Sequence, residues 1–183
     1  NYVLLSVIYF FFSILWVFLL GFATPLVIIA GIAFGAVWGS ILTIVSFSIG
    51  ASLLYLFANH YFKNLVYEYL SSQFLSLKNH FNENEFSYFF FIRLIPGIPF
   101  PIKNVMPVLF NMRLKNFFLA TFFGEALPTI ITLSVISGFS NVIEEGNSIN
   151  INILYDPQIF LPLLALGIMV IVTNFLKKKY YKK

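Results

Sequence analysis

Residues 1–62 contain no Asp, Glu, Lys or Arg. A helix crosses the hydrocarbon layer of a bilayer with about 20 apolar residues, so this stretch is too long for one crossing and must turn inside the membrane. The whole sequence is 60% hydrophobic and 10% charged, with a mean hydropathy of +0.89, whereas about a quarter of the residues of a soluble domain are charged. These features exclude a soluble domain and predict an all-α membrane protein.

Glycine and proline divide this uncharged stretch. The sequence GFATP at 21–25 ends a first predicted span, Tyr2–Leu20, which lacks a basic leader and is therefore expected to be retained rather than cleaved as a signal peptide. Pro25 opens a second apolar segment of only about 15 residues, a length typical of re-entrant segments. The glycines of this segment are Gly31, Gly35 and Gly39. They also predict close helix packing, which is compatible with a re-entrant segment. A full-length span is predicted for residues 40–62.

Residues 63–88 form a polar segment with both signs of charge. Apolar residues recur in it at spacings of three and four, which predicts an amphipathic helix on the cytoplasmic membrane surface. That series consists of Val66, Leu70, Phe74, Leu77 and Phe81. His60 and His80 have no carboxylate or thiol at metal-ligand spacing, so we expect no metal site.

The stretch 89–129 combines polar and apolar residues in a way that no ordinary membrane span does. Four prolines interrupt it at Pro96, Pro99, Pro101 and Pro107, and each removes a backbone donor and opposes a continuous helix. Broken backbone at membrane depth is tolerated only where protein buries it or where it lines a wet cavity. We therefore predict a second re-entrant hairpin here and expect the functional site within it.

The remaining chain predicts two more spans and an orientation. Residues 116–139 form the third long span, with a kink at Pro128, and residues 159–176 form the last one. The basic tail 177–183 is expected in the cytoplasm, which places both termini there. About four transmembrane helices and two re-entrant hairpins that enter from opposite faces indicate an inverted-topology repeat. The whole chain, residues 1–183, is expected to form a single polytopic membrane domain.

Arg93, Lys103, Asn104 and Glu125 are the candidate binding residues. An ionisable residue at membrane depth is costly and marks a functional site by default, and guanidinium binds phosphate in a bidentate manner. Our hypothesis is that Arg93, Lys103 and Asn104 hold a lipid phosphate. The alternative is an interfacial Arg93 that extends to the lipid headgroups. Glu125 is either a neutral acid that exchanges a proton, the ionised partner of Arg93, or a fixed interhelical hydrogen-bonding group.

Enzymatic interpretations find little support. The sequence has no glycine-rich phosphate loop, HExxH pair, nucleophile elbow or carboxylate pair at catalytic spacing, and it has no cysteine. The net charge of +4 reflects mainly the basic tail, so nucleic acid is not an expected partner. We expect no catalytic residue and no cofactor. Membrane lipids are the expected partners, and the sequence leaves open whether protons or a second copy of the chain also take part.

With this layout, the sequence resembles the VTT-domain superfamily, also called the DedA or SNARE-associated Golgi protein family, over about residues 20–140. The resemblance implies two facing re-entrant hairpins and a role in moving phospholipids or a polyprenyl phosphate between leaflets, with proton coupling in some members. The residues that carry it are Pro25, the run from Gly31 through Gly35 to Gly39, Gly50, Phe57, the motif FFFIRLIPGIPFPIKN at 89–104 with Arg93, Pro96, Pro99, Pro101 and Asn104, and the series Thr121, Gly124 and Pro128.

Several positions depart from the family pattern. The chain has no carboxylate before Glu68. Asn59 and His60 occupy positions where a basic residue is common in the family. Val108 stands where a glycine is expected, and Pro128 comes one residue late. The sequence is therefore more similar to the vacuolar and Golgi-like branch than to DedA proper. We predict a lipid transporter or scramblase in a bacterial inner membrane. A small-solute or ion transporter and a membrane assembly factor without transport activity are the alternatives.

Overall fold

A computed structural model describes residues 1–74, 81, 84–95, 98–144 and 156–180. No β-strand occurs within these residues, which confirms the all-α fold class. The elements are α1 (Tyr2–Leu20), α2 (Thr24–Tyr61), α3 (Lys63–Phe74), α4 (Glu85–Leu94), α5 (Phe100–Val105), a 3-10 turn (Met106–Phe110), α6 (Leu114–Glu144) and α7 (Pro157–Tyr180).

Three of these helices, α1, α2 and α6, are long and apolar enough to cross a membrane. The first predicted span has the bounds that the sequence indicated, and the predicted spans 116–139 and 159–176 lie inside α6 and α7. In α7 the apolar stretch among described side chains is Pro157–Val172. The integral membrane class is thereby confirmed. Pro128 lies inside α6, and the kink predicted there stays a prediction.

The chain forms two compact units. The first contains Asn1–Ala23 and Val45–Glu125, and the second contains Thr24–Ile44 and Ala126–Lys183. The single-domain organisation and the inverted relation of the two hairpins stay predictions.

In the first unit, glycines fix the end and the packing of α1. Gly21 follows the helix in the left-handed conformation, with φ 70°, and its N–H donates to the Val17 carbonyl. This is the usual helix stop, because only glycine adopts that conformation without strain. A Cβ at Gly50 would lie 2.8 Å from the Ile14 carbonyl oxygen, so the backbones of α1 and α2 are in direct contact there.

In the second unit, residues 24–44 fold into a helical hairpin. Gly35 has φ 72° and ψ −176°, a combination that a residue with a side chain rarely adopts. A Cβ at Gly39 would lie 2.8 Å from the carbonyl oxygen of Ala30, although nine residues of straight helix would separate the two by about 13 Å. The chain therefore reverses at Gly35, which is the geometry expected of a re-entrant segment. The turn lies inside the short apolar segment of about 15 residues that the sequence predicted from Pro25 onward.

Close packing, the other interpretation of these glycines, also holds. A Cβ at Gly31 would lie 2.8 Å from Ile136 Cβ in α6, and one at Gly138 would lie 2.9 Å from Ile159 Cγ1 in α7. Missing side chains thus let the hairpin, α6 and α7 approach one another within this unit.

Among its described residues, the predicted amphipathic segment 63–88 includes α3 and the beginning of α4. Val66 is buried, and the Tyr67 hydroxyl donates to the Leu109 carbonyl over 2.8 Å. This face of α3 packs against the 3-10 turn, while Leu65 and Tyr69 are exposed on the other face. The location of this segment at the membrane surface stays a prediction. Phe81, the last of the predicted apolar series, is fully buried, and Leu77 and His80 lie outside the described residues.

Helices α4 and α5 form a second hairpin, in the first unit. Pro99 is the N-cap of α5, and Pro101 lies in its first turn, where a missing N–H costs nothing. Arg93 Nη1 donates to Asn104 Oδ1 over 2.9 Å, whereas eleven residues of continuous helix would hold the two residues about 16 Å apart. The predicted break between the two arms is therefore present. Pro96 lies outside the described residues.

Candidate functional site

Arg93 is the centre of a buried polar cluster in the first unit. Only 1% of its surface is exposed, and its guanidinium contacts three side chains. Nη1 donates to Asn104 Oδ1 at 2.9 Å and to Glu125 Oε1 at 3.4 Å, and Nη2 donates to Thr121 Oγ1 at 2.8 Å. The structure thus brings Arg93, Asn104 and Glu125 together from three helices, α4, α5 and α6.

Helix α6 supplies one wall of the cluster through a single face. Thr121, Gly124 and Glu125 are spaced by three and four residues, so they lie side by side on the helix surface. A Cβ at Gly124 would lie 2.6 Å from Arg93 Cβ and 3.3 Å from the Phe90 carbonyl oxygen. The missing side chain at Gly124 therefore lets α6 approach close enough for Thr121 and Glu125 to reach the guanidinium.

Lys103 joins the cluster from α5. Its side chain is buried, with 8% of the residue surface exposed, and Nζ donates to the Arg93 carbonyl over 2.8 Å. That carbonyl belongs to the last turn of α4, where a cation satisfies an unpaired acceptor and complements the helix dipole. Lys103 therefore brings a second positive charge and also fixes the C-terminus of α4.

Three phenylalanine rings surround the guanidinium. The Cζ atom of Arg93 lies 4.8 Å from the ring centroid of Phe89, 5.6 Å from that of Phe100 and 5.4 Å from that of Phe117. Rings at these distances stabilise a cation while they exclude water. The sequence analysis missed this cage. Phe89 precedes Arg93 by four residues and Phe117 precedes Thr121 by four, but in a chain with 24 phenylalanines that spacing alone singles out no pair.

The cluster has an excess of positive charge and of hydrogen-bond donors. In their usual charge states Arg93 and Lys103 contribute +2 and Glu125 contributes −1, a sum of +1. Arg93 Nε and Asn104 Nδ2 are buried and have no hydrogen-bond partner among the described residues. A buried donor without an acceptor costs about 1–3 kcal/mol. The arrangement therefore lacks acceptor oxygens and negative charge.

These contacts bear on the alternatives that the sequence left open for Arg93 and Glu125. The Arg93 guanidinium is buried by protein, so it does not extend to the membrane surface. Glu125 lies within ion-pair distance of Arg93, and 14% of its side chain is exposed. An ionised partner and a fixed interhelical hydrogen-bonding group both fit this contact, and the exchange of a proton stays a prediction. Among the described residues, no group of three or more His, Cys, Asp or Glu side chains is arranged to hold a metal ion.

A second polar layer lies at the other end of the contact between α4 and α6. Glu85 Oε2 accepts hydrogen bonds from the N–H and Nε of Arg113 and from Asn116 Nδ2 at 2.8 Å. Burial raises the pKa of Glu85, but the hydrogen bonds from Asn116 and Arg113, with the Arg113 charge, lower this pKa by more, so the net direction is downward. The Arg113 side chain is 78% exposed, which places this layer at the polar boundary of the helices.

The fold and the site define a class of helical membrane protein with two helical hairpins and a buried cationic cluster beside the second. The VTT domain matches residues 22–138, and the chain belongs to this family. The matched residues include both hairpins and every residue of the cluster.

The curated relatives with similar sequences include Transmembrane protein 41B from several vertebrates. The chain is 26% identical to the Xenopus tropicalis protein over 175 residues, 92% of this chain and 61% of the relative. It is also 26% identical to the human protein over 176 residues, 92% of this chain and 58% of the relative. The chain thus spans about three fifths of the length of these relatives. No solved structure gives a significant match.

Proposed function

We propose that this protein is a lipid transporter or scramblase without enzymatic activity, which binds the phosphate of a membrane lipid at the Arg93 cluster and moves the lipid between leaflets. The observation that carries the proposal is the imbalance of the cluster: two cations against one carboxylate, and two buried donors, Arg93 Nε and Asn104 Nδ2, without acceptors. A lipid phosphate supplies both missing elements, since it brings negative charge and several acceptor oxygens.

The donor geometry supports phosphate as the ligand. Guanidinium stays charged and presents its N–H groups in a planar fork that matches phosphate oxygens. In Arg93 the Nη groups already donate to side chains of the cluster, which leaves Nε for a ligand. The side-chain amide of Asn104 accepts a hydrogen bond from Arg93 Nη1 through Oδ1. This contact orients the amide, and its Nδ2 group is left without an acceptor among the described residues.

Glu125 acts in this proposal as the competitor of the phosphate. Its contact with Arg93 is 3.4 Å long, whereas charge-assisted hydrogen bonds between such groups are normally about 2.7–2.9 Å. A long contact is weak and is readily exchanged for a ligand oxygen. Between binding events the Glu125 carboxylate would balance part of the positive charge of the cluster. When a phosphate binds, its oxygen would replace the carboxylate as the acceptor for Arg93. Coupling to protons stays a prediction of the sequence.

The resemblance of the sequence to lipid-moving families supports the same function. The VTT domain match covers the whole Arg93 cluster. The name of the vertebrate relatives, Transmembrane protein 41B, states a membrane location and no cargo, so the phosphate-bearing cargo rests on the cluster itself.

A leaflet-exchange assay in proteoliposomes tests the proposal. The cargoes are a fluorescent phospholipid, a polyprenyl phosphate and a phosphate-free glycolipid. We expect Arg93→Gln to slow exchange of the two phosphate lipids at least about tenfold, the effect of about 1.4 kcal/mol. Arg113→Gln is the matched control, because it removes an arginine whose side chain is 78% exposed. Equal exchange by folded wild-type protein and Arg93→Gln would contradict the proposal.

We also propose a bacterial inner membrane with both termini in the cytoplasm. The supporting features are the tail 177–183 and the basic pair Arg113 and Lys115, since basic residues accumulate on the cytoplasmic side. The chain has no cysteine, so a single cysteine at Lys183 can be labelled selectively. An impermeant thiol reagent should leave it unlabelled in intact cells and label it after lysis, and labelling in intact cells would reverse the topology.

A further inference from the structure

Helices α4 and α6 pack in a constant register. Three contacts join α4 to α6 or to Arg113, the residue just before α6, and in each the two residues are separated by 28 positions in sequence. The two helices therefore run parallel, and one face of each helix lies against the other. The contacts recur every four residues, as residues on one face of a helix do. The three pairs are Glu85 with Arg113, Phe89 with Phe117 and Arg93 with Thr121.

The first pair, Glu85 with Arg113, and the last pair, Arg93 with Thr121, are polar. The pair between them, Phe89 with Phe117, is aromatic. The rings of Phe89 and Phe117 are stacked, with centroids 5.2 Å apart and an interplanar angle of 25°, and both residues have 0% exposed surface. Eight residues of helix separate Glu85 from Arg93, a rise of about 12 Å. The cationic cluster is therefore about 12 Å from an exposed polar layer, with a dry aromatic layer between them.

Other rings extend the aromatic layer on both sides. Tyr55 stacks on Phe117 at 4.8 Å and 16°, and its hydroxyl donates to the Met112 carbonyl over 2.6 Å, which fixes the ring. On the other side Phe81 lies 6.3 Å from Phe89 and stacks on Phe110 at 4.2 Å. These rings pack against Phe89 and Phe117, so neither side chain of the pair can rotate without displacing a neighbouring ring.

A cationic cluster so near water would attract dissolved anions if a path were open, because a concentrated positive potential draws counter-ions. We propose that the Phe89–Phe117 pair is the specificity-determining barrier of the site, which keeps dissolved anions from the Arg93 cluster so that only a phosphate carried by a lipid reaches it. This inference rests on the proposed function for one element, anion binding by the cluster. A hydrated anion would have to lose its water to cross the rings, which is costly.

The first experiment measures anion flux into proteoliposomes with a halide-sensitive dye. Phe117→Ala should raise the flux at least about tenfold over wild type, and Arg93→Gln in the same chain should abolish the increase. Phe123→Ala is the matched control, since it removes a phenylalanine of the same helix that is 52% exposed. A folded Phe117→Ala protein that leaks no more than Phe123→Ala would overturn the proposal, and so would a leak that is indifferent to Arg93.

A second measurement does not depend on the fate of Phe117→Ala. Because the chain has no cysteine, Thr121→Cys places one thiol inside the barrier and Lys115→Cys places one outside it. With both phenylalanines present, a negatively charged, water-soluble thiol reagent should modify Cys at 121 at least about a hundredfold more slowly than at 115. Phe117→Leu, which removes the stacking but keeps an apolar side chain, should accelerate modification at 121. Equal rates at the two positions would overturn the proposal.

The outcomes separate the two proposals. Lipid exchange that depends on Arg93, together with rapid modification at position 121, would refute the barrier and leave the lipid transporter intact. Slow modification at 121 without any lipid exchange dependent on Arg93 would refute the transporter.

Discussion

The two helical hairpins reverse the chain in similar ways but are held together by different chemistry. In the first, within Thr24–Ile44, no side chain carries a charge, and the arms meet where Gly39 lies against the carbonyl of Ala30. In the second, α4 and α5 are joined by buried charged side chains: Arg93 donates to Asn104, and Lys103 donates to the backbone of Arg93.

This difference indicates what each hairpin is for. In the first hairpin the two arms meet at a glycine, so their backbones are in direct contact, and the contact contains no polar side chain that could bind a ligand. The second pays for burying two cations and leaves two donors unsatisfied. Buried polar groups without partners are rare in folded proteins and call for an explanation, and ligand binding supplies one. The first hairpin therefore offers no charged group to a ligand, and the second is the one to which the proposed function assigns ligand binding.

The largest effect should come from removing the central charge of the second hairpin. Arg93→Met removes three hydrogen bonds from the buried cluster and leaves Glu125 without this partner, and removing one side of such a buried pair costs about 3–5 kcal/mol. The free energy of unfolding, measured by denaturant titration in micelles, should fall by that amount. The double variant Arg93→Met with Glu125→Gln should lose less than the single one, because the carboxylate left without Arg93 is removed as well. A double variant less stable than Arg93→Met would show that the pair is not coupled.

An intermediate effect is expected in the first hairpin. Gly39→Ala puts a Cβ 2.8 Å from a backbone oxygen, which cannot move aside as a side chain would, so the free energy of unfolding should fall by about 1–3 kcal/mol. Gly167→Ala is the matched control, since no atom of the described residues outside the local helix backbone lies within 4 Å of its Cβ position. Lipid exchange by the folded fraction of Gly39→Ala should match wild type. Selective loss of exchange at full stability would give the first hairpin a functional role.

The sequence predicted the charged site better than the turn of the first hairpin. Prolines that interrupt an apolar stretch and an arginine within it stand out in the sequence, so the convergence of Arg93, Lys103, Asn104 and Glu125 could be expected before the structure. The three glycines at 31, 35 and 39 are equivalent by spacing, and only the φ of 72° at Gly35 identifies the turn. The rings of Phe89 and Phe117 could not be selected, because their role depends on the register between α4 and α6, which is a tertiary property.

The smallest effect is the pH dependence of the free energy of unfolding. Of the two hairpins, we expect only the second to contribute to it, since residues 24–44 contain no titratable side chain. The pKa of Glu85 is lowered in the folded protein, so its contribution is present above the unfolded pKa of about 4.3 and is lost as the pH falls through the lower folded pKa. Because Arg113 is 78% exposed, the contribution is at most about 1 kcal/mol.

The check compares the pH dependence of unfolding in wild type and Glu85→Gln. We expect the wild type to lose stability relative to Glu85→Gln as the solution is acidified below about pH 4.3, while Glu68→Gln, which removes an exposed carboxylate, follows the wild type. Parallel curves for wild type and Glu85→Gln would show that the contacts of Glu85 with Arg113 and Asn116 do not stabilise the fold.

The most direct test of the central claim is photocrosslinking with a phospholipid that carries a reactive group beside its phosphate. Labels should map to residues 89–104 and 117–125, should be displaced by excess unlabelled phospholipid but not by a phosphate-free glycolipid, and should be lost in Arg93→Gln while Arg113→Gln retains them. Labelling that avoids these residues, or that is unchanged in Arg93→Gln, would contradict the claim that the Arg93 cluster binds lipid phosphate.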